Sequence, residues 1–370
     1  RDEGPVVFDG DPMTAWDPRS GRFWVGAIAF PGAPTRGAYL ASKLPGDPDL
    51  EPTAFAYPKI TDKGWMTVGS PPGEPGATRL YLAHERGVQR SDDLGASWSE
   101  PVPLERDIGY LPRTGPGGEL YVSAWDGADG VVLYRSFDGG VSFEGPIRIA
   151  TRTDFWPVGG SDTPQVAGVF RAPPFTCLAV DPIDGTLYAL WFDTVSLDAT
   201  DADLDLYLSR STDRGETWET PWRLHPDGMP GDQLMPWLEA DDAGGLHVLY
   251  LDTREHPDDE ATGALLDVWY AKSGDGGRSW SETRVSEAPI DSRRASSLSG
   301  VPGLQFIGDY LGLAVAGDRV HLAYPTTVNG DLDLLVRTVE PAAAPPEPCV
   351  AGDTTLCLTP DRYRVTVTWR

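Results

Sequence analysis

Ser-Thr-Asp-Arg-Gly-Glu-Thr-Trp, residues 211–218, decides the fold, because it is one of four copies of a single pattern. The others are Ser-Asp-Asp-Leu-Gly-Ala-Ser-Trp (91–98), Ser-Phe-Asp-Gly-Gly-Val-Ser-Phe (136–143) and Ser-Gly-Asp-Gly-Gly-Arg-Ser-Trp (273–280). The shared form is Ser-x-Asp-x-Gly-x-Ser/Thr-aromatic, and successive copies start 45, 75 and 62 residues apart. Its chemistry is that of a hairpin tip. The Asp carboxylate accepts backbone N–H groups of the turn, and the Gly takes the positive-φ position. The aromatic anchors the tip between neighbouring sheets. Strand-like stretches precede the copies at 133–135, 206–210 and 268–272. These octapeptides read as structural staples rather than catalytic groups.

The composition agrees with short strands and tight turns. In 370 residues there are 42 Gly and 35 Pro, too many breakers for long helices. Hydrophobic residues make up 40%, enough for a sizeable core. Lys plus Arg number 30 against 56 Asp plus Glu, a net charge of −26 that repels phosphate backbones and anionic lipid, so nucleic acid is not an expected partner. No apolar run reaches the roughly 18 residues of a membrane span. With five His and no Cys/His cluster, zinc has no support. Cys177 lies in an apolar run and reads as a small core residue. Cys349 and Cys357 are spaced to close a disulfide loop, which suits an oxidising compartment. Residue 1 is Arg rather than Met, so loss of an N-terminal segment is expected.

The octapeptide resembles the Asp-box, or bacterial neuraminidase repeat, of β-propellers in the sialidase superfamily, and the resemblance runs over about residues 10–340. It is specific for the fold and weaker for the activity. The blades are counted from the chain itself. Apolar inner strands are expected at 12–16, 65–68, 110–113, 176–180, 235–238 and 311–315, each followed by a turn and a second strand. The expected fold is all-β, a six-bladed β-propeller with Asp-box hairpins, with seven blades as the alternative. The propeller occupies 1–340. A stiff Pro/Ala-rich linker follows at 341–348, then a β segment at 349–370. That segment reads equally as the start of a further domain or as a strand packing back on the propeller.

In such a fold the repeated turns leave from one face. The loops into each inner strand, and those joining second and third strands, leave from the other. That second face collects Asp11, Asp62, Asp232 and Asp309 at the inner strands, and Asp193 and Asp252 at the second-strand ends, with Lys63 and Arg254 among them. Acids beside aromatics suit acid/base work on a sugar, a cation, or Ca²⁺. Turn capping is the plainer reading for Asp11, Asp62 and Asp232, and mutual pairing for Asp252 and Arg254. Asp309-Tyr310, wedged between glycines and apolar residues, is the most distinctive pair. Asp201, Asp203 and Asp205 alternate like a Ca²⁺ loop but lack the Gly and distal Glu of an EF-hand, so a solvated loop is the plainer reading. No cofactor is firmly implied.

What the resemblance implies goes further. Sialidases use a Tyr nucleophile, and Tyr310 sits at the last inner strand where that residue lies. Arg254 stands for one member of their Arg triad. Their first-blade Phe/Tyr-Arg-Ile-Pro signature is replaced here by Asp11-Pro12-Met13. Two functions follow. One is a secreted, sialidase-like exo-glycosidase with catalytic Asp309, Tyr310, Asp11 and Asp62, and substrate-binding Arg254, Asp252, Lys63 and Asp193. The other is a non-catalytic carbohydrate- or protein-binding propeller, a monomeric module of a larger secreted or surface protein. Either takes a glycan or small-molecule ligand on the channel face.

Overall fold

The computed structural model describes residues 6–31, 37–52, 64–105, 108–126, 130–153, 172–194, 203–225, 229–257, 264–297, 305–340 and 365–367. The chain divides into two compact units, Arg1–Trp156 with Pro174–Asp227, and Pro157–Pro173 with Gly228–Arg370. Six antiparallel meanders, each in chain order, make up the sheets, apart from a two-stranded ribbon of Ser296–Ser297 and Gln305–Phe306. They are the blades of a six-bladed β-propeller. No α-helix occurs among the described residues, and none there could cross a membrane.

The first unit holds four blades. Their inner strands, Val6–Trp16, Trp65–Gly69, Ile108–Thr114 and Cys177–Val180, lie side by side in that order. Blade four continues through Leu187–Thr194, Leu204–Ser211 and Trp222–Arg223. In blade two the fourth strand is reduced to a bridge between Val88 and Val102. The second unit holds blades five and six, with neighbouring inner strands Gln233–Ala240 and Gly312–Ala316. Blade five continues through Leu246–Asp252, Leu265–Ser273 and Ser281–Arg284. Blade six is completed by Val365–Val367, which pairs with Asp333–Val339. Cys349 and Cys357 fall outside the described residues. Cys177 is buried at the start of its strand.

Second strands show why blades stack. Leu187–Thr194 and Leu246–Asp252 are buried along their whole length, as the second strands of a blade are expected to be. The octapeptides close the third strands in one way each time. In blade four, Ser211 Oγ donates to Asp213 Oδ1 at 2.7 Å, Thr217 N to the same oxygen at 2.9 Å, and Thr217 Oγ1 to Oδ2 at 2.5 Å. Gly215 sits at φ 79 and donates to Ser211 Oγ at 2.9 Å. The same bonds recur around Asp93, Asp138 and Asp275. The aromatics Trp98, Phe143, Trp218 and Trp280 are half-buried at these tips.

Candidate functional site

Strand register places the acids at the end of each blade away from those turns. In blade four Leu187 pairs with Ser211 at the turn end, and Asp193 pairs with Asp205 near the other. Residues directly opposite in an antiparallel pair have Cα atoms roughly 4.5–5.5 Å apart, so two carboxylates facing there repel. Two arginines relieve the repulsion. Arg223, on the fourth strand, holds its Nε 3.1 Å from Asp205 Oδ2 and donates to the Tyr207 hydroxyl at 3.2 Å. Arg152, beyond the end of blade three, acts on Asp193 through its field and donates to the carbonyls of Pro174 at 2.5 Å and Phe192 at 2.6 Å. Its guanidinium also lies 5.8 Å from the Trp125 ring and 5.4 Å from that of Phe192.

Desolvation dominates the titration of this cluster. It pulls Arg152 down to about 10, with the Asp193 charge opposing. It pushes Asp193 above the usual carboxylate range, against the field of Arg152 and the N–H groups of Thr194 and Thr153. Asp203 is raised for the same reason, opposed by Arg223. Beside Arg152 and Asp193 opens a cleft of about 440 Å³, lined also by Thr151, Thr153, Trp191, Thr194, Tyr207 and Pro221. Trp191 and Tyr207 face each other across the rung next to the acids and stack with centroids 6.2 Å apart and planes at 20°.

Blade five repeats the rung. Gln233, Asp252 and Asp267 form one row across three strands. Arg284 holds its Nε 2.9 Å from Asp267, as Arg223 does for Asp205. Here, however, Asp252 has a partner from its own loop. Arg254 Nε donates to Asp252 Oδ2 at 2.6 Å, Nη1 to Glu282 at 3.0 Å, and Nη2 to the Tyr250 hydroxyl at 2.9 Å. The guanidinium lies 4.2 Å from the Trp269 ring centroid. Burial opposes the charge of Arg254, but the bond to Asp252 and the fields of Tyr250, Asp252 and Glu282 raise its pKa overall.

The remaining expected site residues are spread out. Asp11 is half-buried at φ 49, inside an inner strand whose register shifts between Gly10 and Met13, a bulge. Asp309 and Tyr310 are half-buried in the turn before Gly312–Ala316, with Tyr310 6.4 Å from the Trp237 ring. Asp62, Lys63 and Asp201 lie outside the described residues. Among the described residues no group of three or more His, Cys, Asp or Glu could hold a metal ion. Thus Asp193, Asp203 and Asp205 share one end of blade four, and Asp252 pairs with Arg254 in blade five. The sequence reading did not single out Arg152, Trp191 or Tyr207. A signal exists for Trp191: of the four Asp-Thr dipeptides in the sequence, those at 193–194 and 252–253 stand two residues after an aromatic.

No protein-family description matches the sequence, and no curated protein does either. Solved structures do. An α-L-arabinanase of Penicillium chrysogenum bound to arabinobiose aligns with a TM-score of 0.53 at 12% identity, covering 89% of this chain and 92% of that one. An α-L-arabinofuranosidase of Fusarium graminearum, also with arabinobiose, gives 0.53 at 10% identity with 89% and 92% covered. A ulvan lyase bound to a glucuronate–rhamnose sulfate fragment gives 0.54 at 10% identity with 90% and 82% covered. At such identities the likeness establishes the shared fold.

Proposed function

We propose that this protein acts on glycans, and that the cleft of blade four is its sugar site. One observation carries the reading. A buried carboxylate, Asp193, and a stacked aromatic pair, Trp191 and Tyr207, line one cleft at the end of a propeller blade. Aromatic faces and a few fixed polar groups are what a pyranose or furanose ring requires of a site. Arabinan- and ulvan-acting proteins of the same fold support the substrate class.

In this reading Asp193 grips the sugar and glycoside hydrolysis is the reaction. Asp203, raised by desolvation and on the same sheet face as Asp205 and Tyr207, is the proton donor. Its proton goes to the glycosidic oxygen as the bond from that oxygen to the anomeric carbon breaks, and water adds to that carbon, giving up its proton to Asp205. Asp205, ion-paired to Arg223, is the ionised partner. An extracellular workplace goes with such a substrate.

The test is a fluorogenic glycoside panel that includes α-L-arabinofuranosides and an α-sialoside, run with Ca²⁺ and with EDTA. Turnover by the wild type, lost in Asp203→Asn and retained in Asp309→Asn, establishes the hydrolase and its site. The reverse pattern moves the chemistry to Asp309 and Tyr310. Silence with folded protein that still binds oligosaccharide leaves the binding module.

A further inference from the structure

Blades four and five match position for position at the acid end. Asp193 opposes Asp205 as Asp252 opposes Asp267, and Trp191 opposes Tyr207 as Tyr250 opposes Trp269. Tyr207 pairs with Arg223 as Trp269 pairs with Arg284, so Pro221 corresponds to Glu282 two residues earlier. In blade five, four of these residues close on one group. Asp252, Tyr250 and Glu282 accept from the Arg254 guanidinium, and Trp269 lies beneath it. Their counterparts in blade four, Asp193, Trp191, Pro221 and Tyr207, all line the open cleft. The residue two past Asp252 is Arg254, whereas the residue two past Asp193 is Val195.

Blade five therefore shows what such a site holds: a cation, here a planar guanidinium, against an aromatic face and ion-paired to the second-strand Asp. We infer that the blade-four cleft takes a cationic group from its ligand, the ammonium of an amino-sugar residue, where blade five uses its own arginine. The inference rests on the glycan reading and narrows it. Local charge agrees. At this end of blade four Asp193, Asp203 and Asp205 outnumber Arg152 and Arg223; Asp193 and Arg152 line the cleft itself, and Arg152 donates to two carbonyls. The −26 net charge draws cationic ligands and repels uronates and sialic acids.

The experiment titrates wild-type protein with two oligosaccharides of equal length, a chitosan tetramer and its fully N-acetylated counterpart, at pH 6, reading tryptophan fluorescence and calorimetric heat. The amine form is expected to bind about tenfold tighter or more, with an affinity that falls as salt rises. Asp193→Asn, checked for an unchanged melting temperature, is expected to erase the preference. Equal binding of both tetramers overturns the inference while leaving the glycan reading intact. A preference that survives in Asp193→Asn is diffuse attraction to an acidic protein and also overturns it. Failure of both tetramers and of arabino-oligosaccharides to bind would sink the glycan reading itself. The wild-type comparison needs no variant to fold.

Discussion

Arg135, on the third strand of blade three, joins Glu216, in the repeated turn of blade four, at 2.7 Å. The same guanidinium bonds Glu144 on its own sheet and the carbonyl of Arg214, so one side chain ties two blades at the turn face. Arg79 does likewise between Asp92 and the carbonyl of Gly139. Both glutamates are largely exposed, and such bridges contribute little each. Arg135→Met is expected to cost about 1 kcal/mol at low salt. Urea unfolding at low and high NaCl checks it, with a smaller difference between variant and wild type at high salt.

The acids of the repeated turns predict acid sensitivity. Thr217, through hydroxyl and amide, holds Asp213 at about 2, and similar bonds outweigh burial to hold Asp138 and Asp275 at about 2. Folded values below unfolded ones mean the turns stabilise fully above roughly pH 4 and lose that contribution as pH falls toward 2. Asp213→Ala is expected to lower stability by about 2 kcal/mol at pH 7. Its melting curve should converge on that of wild type near pH 2.

Tryptophans in different settings should differ. Trp24 is fully buried in the core of blades one and two and donates to the Leu94 carbonyl at 3.3 Å. Trp24→Ala is expected to cost about 4 kcal/mol or to abolish folding. Half-buried Trp218 should cost about 2 kcal/mol on the same substitution. Equilibrium unfolding of the two variants gives the ratio directly.

Arg254 shields a carboxylate that is wholly removed from water. Arg254→Ala leaves Asp252 and Glu282 without that cation and is expected to cost about 3–5 kcal/mol. Arg254→Lys should recover less than half, because ammonium cannot span Asp252, Glu282 and the Trp269 face together. Thermal melts of the pair at pH 7 check the order.

The blades were legible because their signals are local. Each octapeptide contains its own donors and acceptor, so 211–218 declares a turn wherever it occurs. The inner strands announce themselves by short apolar runs: 65–68 falls within a strand, and 311–315 overlaps one from Gly312 on. The cleft is a matter of register instead. Asp203 and Asp205 looked like a loop because nothing local shows that a strand starts at Leu204 and sets Asp205 against Asp193. Arg152 follows Glu144–Ala150 without any motif and reaches Phe192 forty residues away. Asp193 and Asp252 are legible from their place at second-strand ends, whereas the other acids of that face sit at the inner strands.

The third strand of blade four runs six residues from Asp205 to Ser211, about 20 Å of chain between cleft and turn. Substitutions that far apart with no shared partner combine additively. Selection, or an engineer, is therefore free to rewrite Asp193, Tyr207 and Pro221 for another ligand while the stapled turns keep a reserve of stability untouched. The two ends of one strand evolve as if they belonged to separate molecules.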